Sequence, residues 1–120
     1  NTFPWFYSRD SGITVEWEAN TPEEVANIFL ADQQLRGESG MLLGVPLPAA
    51  DALPEERTRA AIDQALARAS AEGISGKPLT PFLLSKIFEI TDGDSLVANV
   101  ALIKNNASVG AQIASAVASR

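Results

Sequence analysis

One stretch constrains this chain more than any other. Residues 91–120 read TDGDSLVANVALIKNNASVGAQIASAVASR, and beyond two Asp and a Gly at the entry the run is small, aliphatic and free of proline. It predicts one long helix reaching Arg120, with Asp94 as its N-cap. At ~1.5 Å per residue such a helix spans roughly 38 Å, about the width of a domain, so neighbouring elements should pack along it.

Its polar residues fall on two faces. Lys104, Ser108, Gln112, Ser115 and Ser119 recur at steps of three or four, the solvent stripe of an amphipathic helix. Ser95, Asn99 and Asn106 form a second stripe. At about 100° per residue, Asn99 lies roughly 140° and Asn106 roughly 160° from Lys104, so this group is expected to point away from solvent. Two readings stay open: the amides satisfy backbone groups of a neighbouring loop, or they face a ligand cavity and offer a polar substrate both donors and acceptors.

With 120 residues, 46% of them apolar, the chain has the size of one domain and enough hydrophobic material for a core. No run approaches the ~18 apolar residues of a membrane span, so it reads as soluble, with a cytoplasmic location expected. The net charge is −6 and the nine basic residues are scattered, which leaves no stripe for a nucleic-acid backbone. Cysteine and histidine are both absent. That excludes disulfides and thiolate zinc sites and removes the usual general base, so any chemistry must use carboxylates, lysines, hydroxyls or amides. The opening run Phe3-Pro4-Trp5-Phe6-Tyr7, without an initiating Met, is expected to belong to a piece of something longer.

The order of elements predicts an α/β class. Residues 3–7 read as a loop or strand end, followed by a polar turn in which Ser8 and Arg9 either meet an anion or bond locally. Ile13, Val15 and Trp17 alternate with polar residues, the pattern of a half-buried edge strand over 13–18. Thr21-Pro22-Glu23-Glu24 is a capping box opening a helix whose apolar face is Val25, Ile28, Phe29 and Leu35 and whose stop is Gly37. Residues 41–45 form a short apolar run suited to a strand covered on both faces. Strand, helix and strand in this order make a right-handed crossover unit.

The Pro- and Ala-rich loop 47–53 then follows the carboxyl end of that strand, where open sheets place ligands. A helix over 54–72 should turn Ile62, Leu66 and Ala69 inward, pair Glu55 with Arg59 outward and stop at Gly73. Thr80-Pro81 begins another helix, apolar nearly all round and so expected to be buried. Two strands do not close a domain, and the missing ones must come from another segment or chain.

Candidate chemistry is sparse. Asp92-Gly93-Asp94 fits a turn and cap better than a metal pair, and its carboxylates argue against a phosphate at the same helix end. Lys77, in the loop Gly76-Lys77-Pro78-Leu79-Thr80, resembles half a phosphate loop but lacks the upstream glycine spacing and a following Ser or Thr. A solvated lysine is the simpler reading.

Three segments together resemble a known family. FPWFYSRDSG (residues 3–12), GKPLTPFLLSKI (76–87) and GDSLVANVALIKNNA (93–107), in that order, look like the C-terminal part of the pseudouridine-5'-phosphate glycosidases, once labelled indigoidine-synthase A. The likeness covers essentially the whole chain, so residues 1–120 are expected to form the C-terminal segment of one three-layer α/β domain. A strand-helix-strand unit would be followed by three helices, and the whole would be incomplete without the N-terminal segment.

The resemblance implies an enzyme that reversibly cleaves the carbon–carbon glycosidic bond of pseudouridine 5'-phosphate to give uracil and ribose 5-phosphate, with manganese. It also implies a homotrimer, and in some organisms fusion to a sugar kinase. The family's imine-forming lysine, metal-binding aspartate and acid glutamate lie upstream of the matched stretch. Their roles are not carried to Lys77, Lys86 or any acid here, and no residue of this chain is assigned to metal. What carries over is Asn99, matching the AN element expected to contact the substrate as a catalytic group. Ser95, Thr80 and Lys77 are further candidates for substrate binding. The alternative is a non-catalytic module binding a nucleotide or sugar phosphate.

Overall fold

The computed structural model describes residues 1–36 and 40–120. Four helices carry it: α1 (Pro22–Arg36), α2 (Glu55–Ala71), α3 (Leu79–Ile90) and α4 (Asp94–Ala118). α1 lies along α4, α2 packs on α3, and α3 meets the start of α4. The long helix is therefore the spine that the sequence predicts.

Local chemistry sets the helix ends. Thr21 Oγ1 accepts from Glu24 N at 3.2 Å, while Glu24 Oε2 reaches back to Asn20 N at 2.6 Å, a capping box extended by one residue. α2 begins with Glu55 and Glu56 and carries Arg68 in its last turn, matching the helix dipole, and Arg59 meets Glu55 at 2.9 Å. At its far end Gly73 takes a φ of 66°, and Ile74 N donates to Ala69 O at 2.9 Å with Gly73 N on Ser70 O at 3.2 Å. This is a Schellman stop. The expected stop of α1, Gly37, lies outside the described residues.

α2 packs through small side chains. Its buried positions are Thr58, Ala61, Ala65 and Ala69, which let α3 approach closely, whereas Leu66, expected inward, is exposed. The core cluster joins Ala61 and Ala65 to Tyr7, Leu47, Ile87, Ala98 and Leu102. α3 is not wrapped on all sides as its composition predicts: Ile87 alone is fully buried there, and Leu84 and Phe88 stay exposed.

The strand-helix-strand unit does not form among the described residues. The first segment makes one isolated antiparallel bridge, Thr2 with Thr14, supported by Phe3 N to Ile13 O at 2.8 Å and Val15 N to Asn1 O at 3.1 Å. Ile13 and Trp17, expected inward, are exposed, Trp17 at 81%. Residues 41–45 run without sheet pairing, and Met41, Leu42 and Leu43 face solvent instead of being covered on both sides. The cause is elementary: a strand buries its side chains and pairs its amides only against neighbouring strands, and the described residues bring none.

Size measures agree. The radius of gyration is 17.0 Å, against about 13.6 Å for a compact domain of this length. The accessible surface is 8008 Å², where about 6200 Å² is usual for the mass. The helices hold one face of a core and leave much apolar surface open.

Two outcomes test this packing. Ala65→Leu forces a larger side chain into a fully covered position and should lower stability by about 1–3 kcal/mol in urea denaturation, whereas Leu66→Ala should cost less than about 1 kcal/mol. Burial also holds the Tyr7 phenol above the usual tyrosine range. The unfolded chain then loses its proton first, so stability present below about pH 10 should fall as pH rises through that point. Tyr7→Phe should flatten that fall in alkaline unfolding curves.

Candidate functional site

The candidate site starts where α3 hands over to α4. α3 ends in a second Schellman stop, with Gly93 N on Phe88 O at 3.0 Å and Asp92 N on Glu89 O at 3.4 Å. Asp92 (φ 54°) and Gly93 (φ 86°) both adopt left-handed backbone, which reverses the chain in two residues. Asp94, expected from the sequence to be the N-cap, is thus the first helical residue of α4; Gly93 occupies the cap and makes no side-chain hydrogen bond there.

Thr91 does the capping. Its buried hydroxyl donates to Ile87 O at 2.7 Å and accepts from Ser95 N at 3.2 Å, joining the last turn of α3 to the first of α4. Arg57 on α2 braces the same junction, with Nη1 on Asp94 Oδ2 at 2.7 Å and Nη2 on Thr91 O at 3.0 Å. Three helices meet there through side-chain and backbone polar groups.

Ser95 and Asn99 rise from this root on successive turns. Ser95 is buried and Asn99 half-buried, which places both away from open solvent as the stripe requires. Asn99's side-chain amide makes no hydrogen bond among the described residues. Asn106, expected to continue the stripe inward, is exposed. Its neighbour Asn105 points into the structure, with Nδ2 on Pro46 O at 3.2 Å. The sequence carries a signal for Asn105, since it follows buried Ala98 and Leu102 by seven and three residues on one helical face.

The other expected substrate contacts lie apart. Lys77 precedes α3 and Thr80 sits in its first turn, both exposed, with Thr80 roughly 17 Å along the helix axis from Thr91 and Lys77 beyond it. Neither side chain makes a hydrogen bond or ion pair among the described residues. Ser8 bonds locally, its Oγ donating to Asp10 O, while Arg9 Nη1 donates to the carbonyl of Leu47 in the strap that crosses it. Leu53 N reaches Tyr7 O at 2.8 Å, so loop 47–53 is a strap across residues 7–9.

A cleft of about 810 Å³ opens elsewhere, between the N-terminal segment, the 42–46 run and the second half of α4, with Phe3, Trp17, Leu42, Val109 and Asn105 among its walls. None of Asn99, Ser95, Thr80 or Lys77 borders it. Its one carboxylate, Glu18, meets the N-terminal amine at 3.7 Å, and its arginine, Arg9, is engaged by Leu47 O.

The chemistry available is limited accordingly. No group of three acidic side chains that could hold a metal ion occurs among the described residues. Lys86 is paired with Glu89 at 3.0 Å, and Lys77 and Lys104 are solvent-exposed. What the site offers is a helix fixed at its root and one half-buried amide able to donate and accept.

Comparisons with known proteins agree on one relationship. Residues 1–116 match the family described as Indigoidine synthase A like protein. The pseudouridine-5'-phosphate glycosidase of Staphylococcus aureus is 45% identical over 117 residues, covering 98% of this chain and 38% of the relative. That of Lysinibacillus sphaericus is 48% identical over 111 residues, covering 92% and 36%. Among solved structures, the prealnumycin C-glycosynthase AlnA in complex with ribulose 5-phosphate overlays with a TM-score of 0.82 at 26% identity, covering 94% of this chain and 37% of that one. The chain therefore spans little more than a third of the length of the relatives it matches.

Thr91→Val keeps the shape but removes the hydroxyl, leaving the Ser95 amide N–H without its acceptor. Stability should drop by about 1–3 kcal/mol in chemical denaturation, and Thr91→Ser should recover most of it. Equal stability of the Val and Ser variants would remove the hydroxyl bridge from the account.

Proposed function

This chain belongs to the indigoidine synthase A-like family, and from that premise we propose that it is the C-terminal part of an enzyme cleaving and re-forming the carbon–carbon glycosidic bond of pseudouridine 5'-phosphate. With water, the products are uracil and ribose 5-phosphate. The names of the relatives support this reading. So does the ligand of AlnA: ribulose 5-phosphate is the ketose isomer of ribose 5-phosphate, and a C-glycosynthase joins a sugar through carbon.

Within that enzyme this chain holds the substrate and does not start the chemistry. Breaking a bond between two carbons needs an electron sink such as a lysine imine. No lysine described here sits in a desolvated pocket beside an acid or base. The imine lysine, the acid glutamate and the aspartate for manganese belong, in this reading, to the part of the enzyme outside these residues. Missing strands would complete a three-layer α/β domain there, in a cytoplasmic homotrimer.

Asn99 carries the proposal, because it is a half-buried amide without a partner among the described residues, on a helix locked at its root. It would hold a sugar hydroxyl or a uracil carbonyl as the bond breaks. Ser95 lies one turn below it, and Thr80 and Lys77 are secondary substrate contacts.

A binding module without catalysis fits less well. Its anion would need a convergent basic pocket, and the cationic side chains Arg9, Arg57, Arg59, Arg68 and Lys86 are engaged by protein acceptors.

In the complete enzyme, Asn99→Ala should lower kcat/KM for pseudouridine 5'-phosphate by about 10- to 100-fold, the loss of one or two substrate hydrogen bonds, with an unchanged melting temperature. Steady-state kinetics with calorimetry decides it. Wild-type kinetics in the variant would take Asn99 out of the site.

A further inference from the structure

α4 has a second apolar face that this chain leaves bare. Leu96, Val100 and Ile103 recur at four- and three-residue steps, roughly 150° round the helix from the buried Ala98 and Leu102. They are 54%, 43% and 61% exposed, and Val97 beside them is 68% exposed. At the root of the same helix Phe88 is also bare. A surface helix turns polar residues to solvent, and one apolar on opposite sides belongs between two layers. Beyond Ile103 the same face carries only small residues, Ala107, Gly110 and Ala114, so the large apolar side chains end there.

We infer that this face, from Leu96 to Ile103, is the docking surface for the part of the family fold that the relatives carry and this chain does not. The inference rests on the reading that these residues are one part of a larger enzyme. Three observations select that occupant. The chain accounts for 38% of the Staphylococcus aureus relative and 37% of AlnA, so most of the fold has to pack somewhere against this segment. The overlay on AlnA at a TM-score of 0.82, over 94% of this chain, shows that a fold like this one sits inside a chain of that greater length, and the bare side of α4 is where an added layer would find apolar surface. And the face is too small for a self-contained dimer: a few side chains over about two turns offer a few hundred Å², against roughly 800 Å² per partner in a stable interface.

Asn99 lies on the flank of this stripe, about 60° from Leu96. The seam between the two parts would therefore run beside the amide, which places the proposed substrate contact where groups from both parts can meet.

The absence of cysteine allows a direct test. Val100→Cys, close to the native side chain in size, and Ser115→Cys on the polar stripe are each made in this chain joined behind the remaining part of the Staphylococcus aureus relative. Alkylation at each position is followed by peptide mass. Position 100 should react at least about 100-fold more slowly than in urea, while position 115 should react within a few-fold of its urea rate. Equal reactivity at the two positions under native conditions would overturn the proposal. Protection of position 100 in the 120-residue chain alone, rising with its concentration, would overturn it too, since the occupant would then be a second copy. The measurement is blind to substrate, so an enzyme inactive on pseudouridine 5'-phosphate leaves it standing, and a failed docking face leaves the Asn99 kinetics to be judged separately.

Discussion

A helix apolar on two opposite sides is at rest in water only between two layers, and α4 has one. Ala98 and Leu102 lie in a core shared with α2, α3 and Leu47, while Leu96, Val97, Val100 and Ile103 remain about half exposed or more. Full burial of a Leu, Ile or Val contributes roughly 1.5–3 kcal/mol, so the unrealised part over four such residues is on the order of 3–6 kcal/mol. That is comparable with the whole stability of a small domain. The extended shape, the excess surface and the unpaired 41–45 run all express the same shortage of a second layer.

This constraint separates what was legible in the sequence from what was not. Most features decided within a few residues read correctly: the helix beginning at Pro22 with its capping box, the Glu55–Arg59 pair, the Gly73 stop and the long final helix, though its cap falls on Gly93 and not on Asp94. Features requiring a distant partner did not. The alternation of Ile13, Val15 and Trp17 and the apolar run 41–45 carry the pattern of strands, but pattern states which face would be buried and cannot supply the strand that buries it. α3 is similar, since its apolar circumference is a demand for cover that two neighbouring helices meet only around Ile87.

At the candidate site the same division holds on a smaller scale. Rotation about the helix axis correctly separated Ser95 and Asn99 from the Lys104 stripe. It failed at Asn106 because it measured distance from the Lys104 stripe and not nearness to the covered face: at about 100° per residue Asn105 falls beside Ala98 and Leu102. The 42–46 run lies against α4 on that side and takes Asn105 Nδ2 onto Pro46 O, so Asn105 turns inward and Asn106 does not. Thr91 was invisible for another reason. A threonine at the end of one helix is unremarkable until the backbone reversal at Asp92 and Gly93 brings the next helix over its hydroxyl.

The network at that reversal matters more for position than for energy. Arg57 and Asp94 are each about half exposed, and a solvated pair of this kind contributes at most about 1 kcal/mol. Yet Arg57 touches both the side chain of Asp94 and the carbonyl of Thr91, and Thr91 holds Ser95, so α4 is pinned against rotation about its own axis at its first turn. A side-chain amide standing ~6–7 Å from that axis moves about 1 Å for each 10° of rotation, and misplacement of that size is enough to reduce turnover ~100-fold. In the proposed enzyme the reactive groups approach from the other part of the fold, so the alignment of Asn99 with them depends on this pin on one side and on the seating of the Leu96–Ile103 face on the other. Neither contact touches the substrate, and both set where the amide stands when it does.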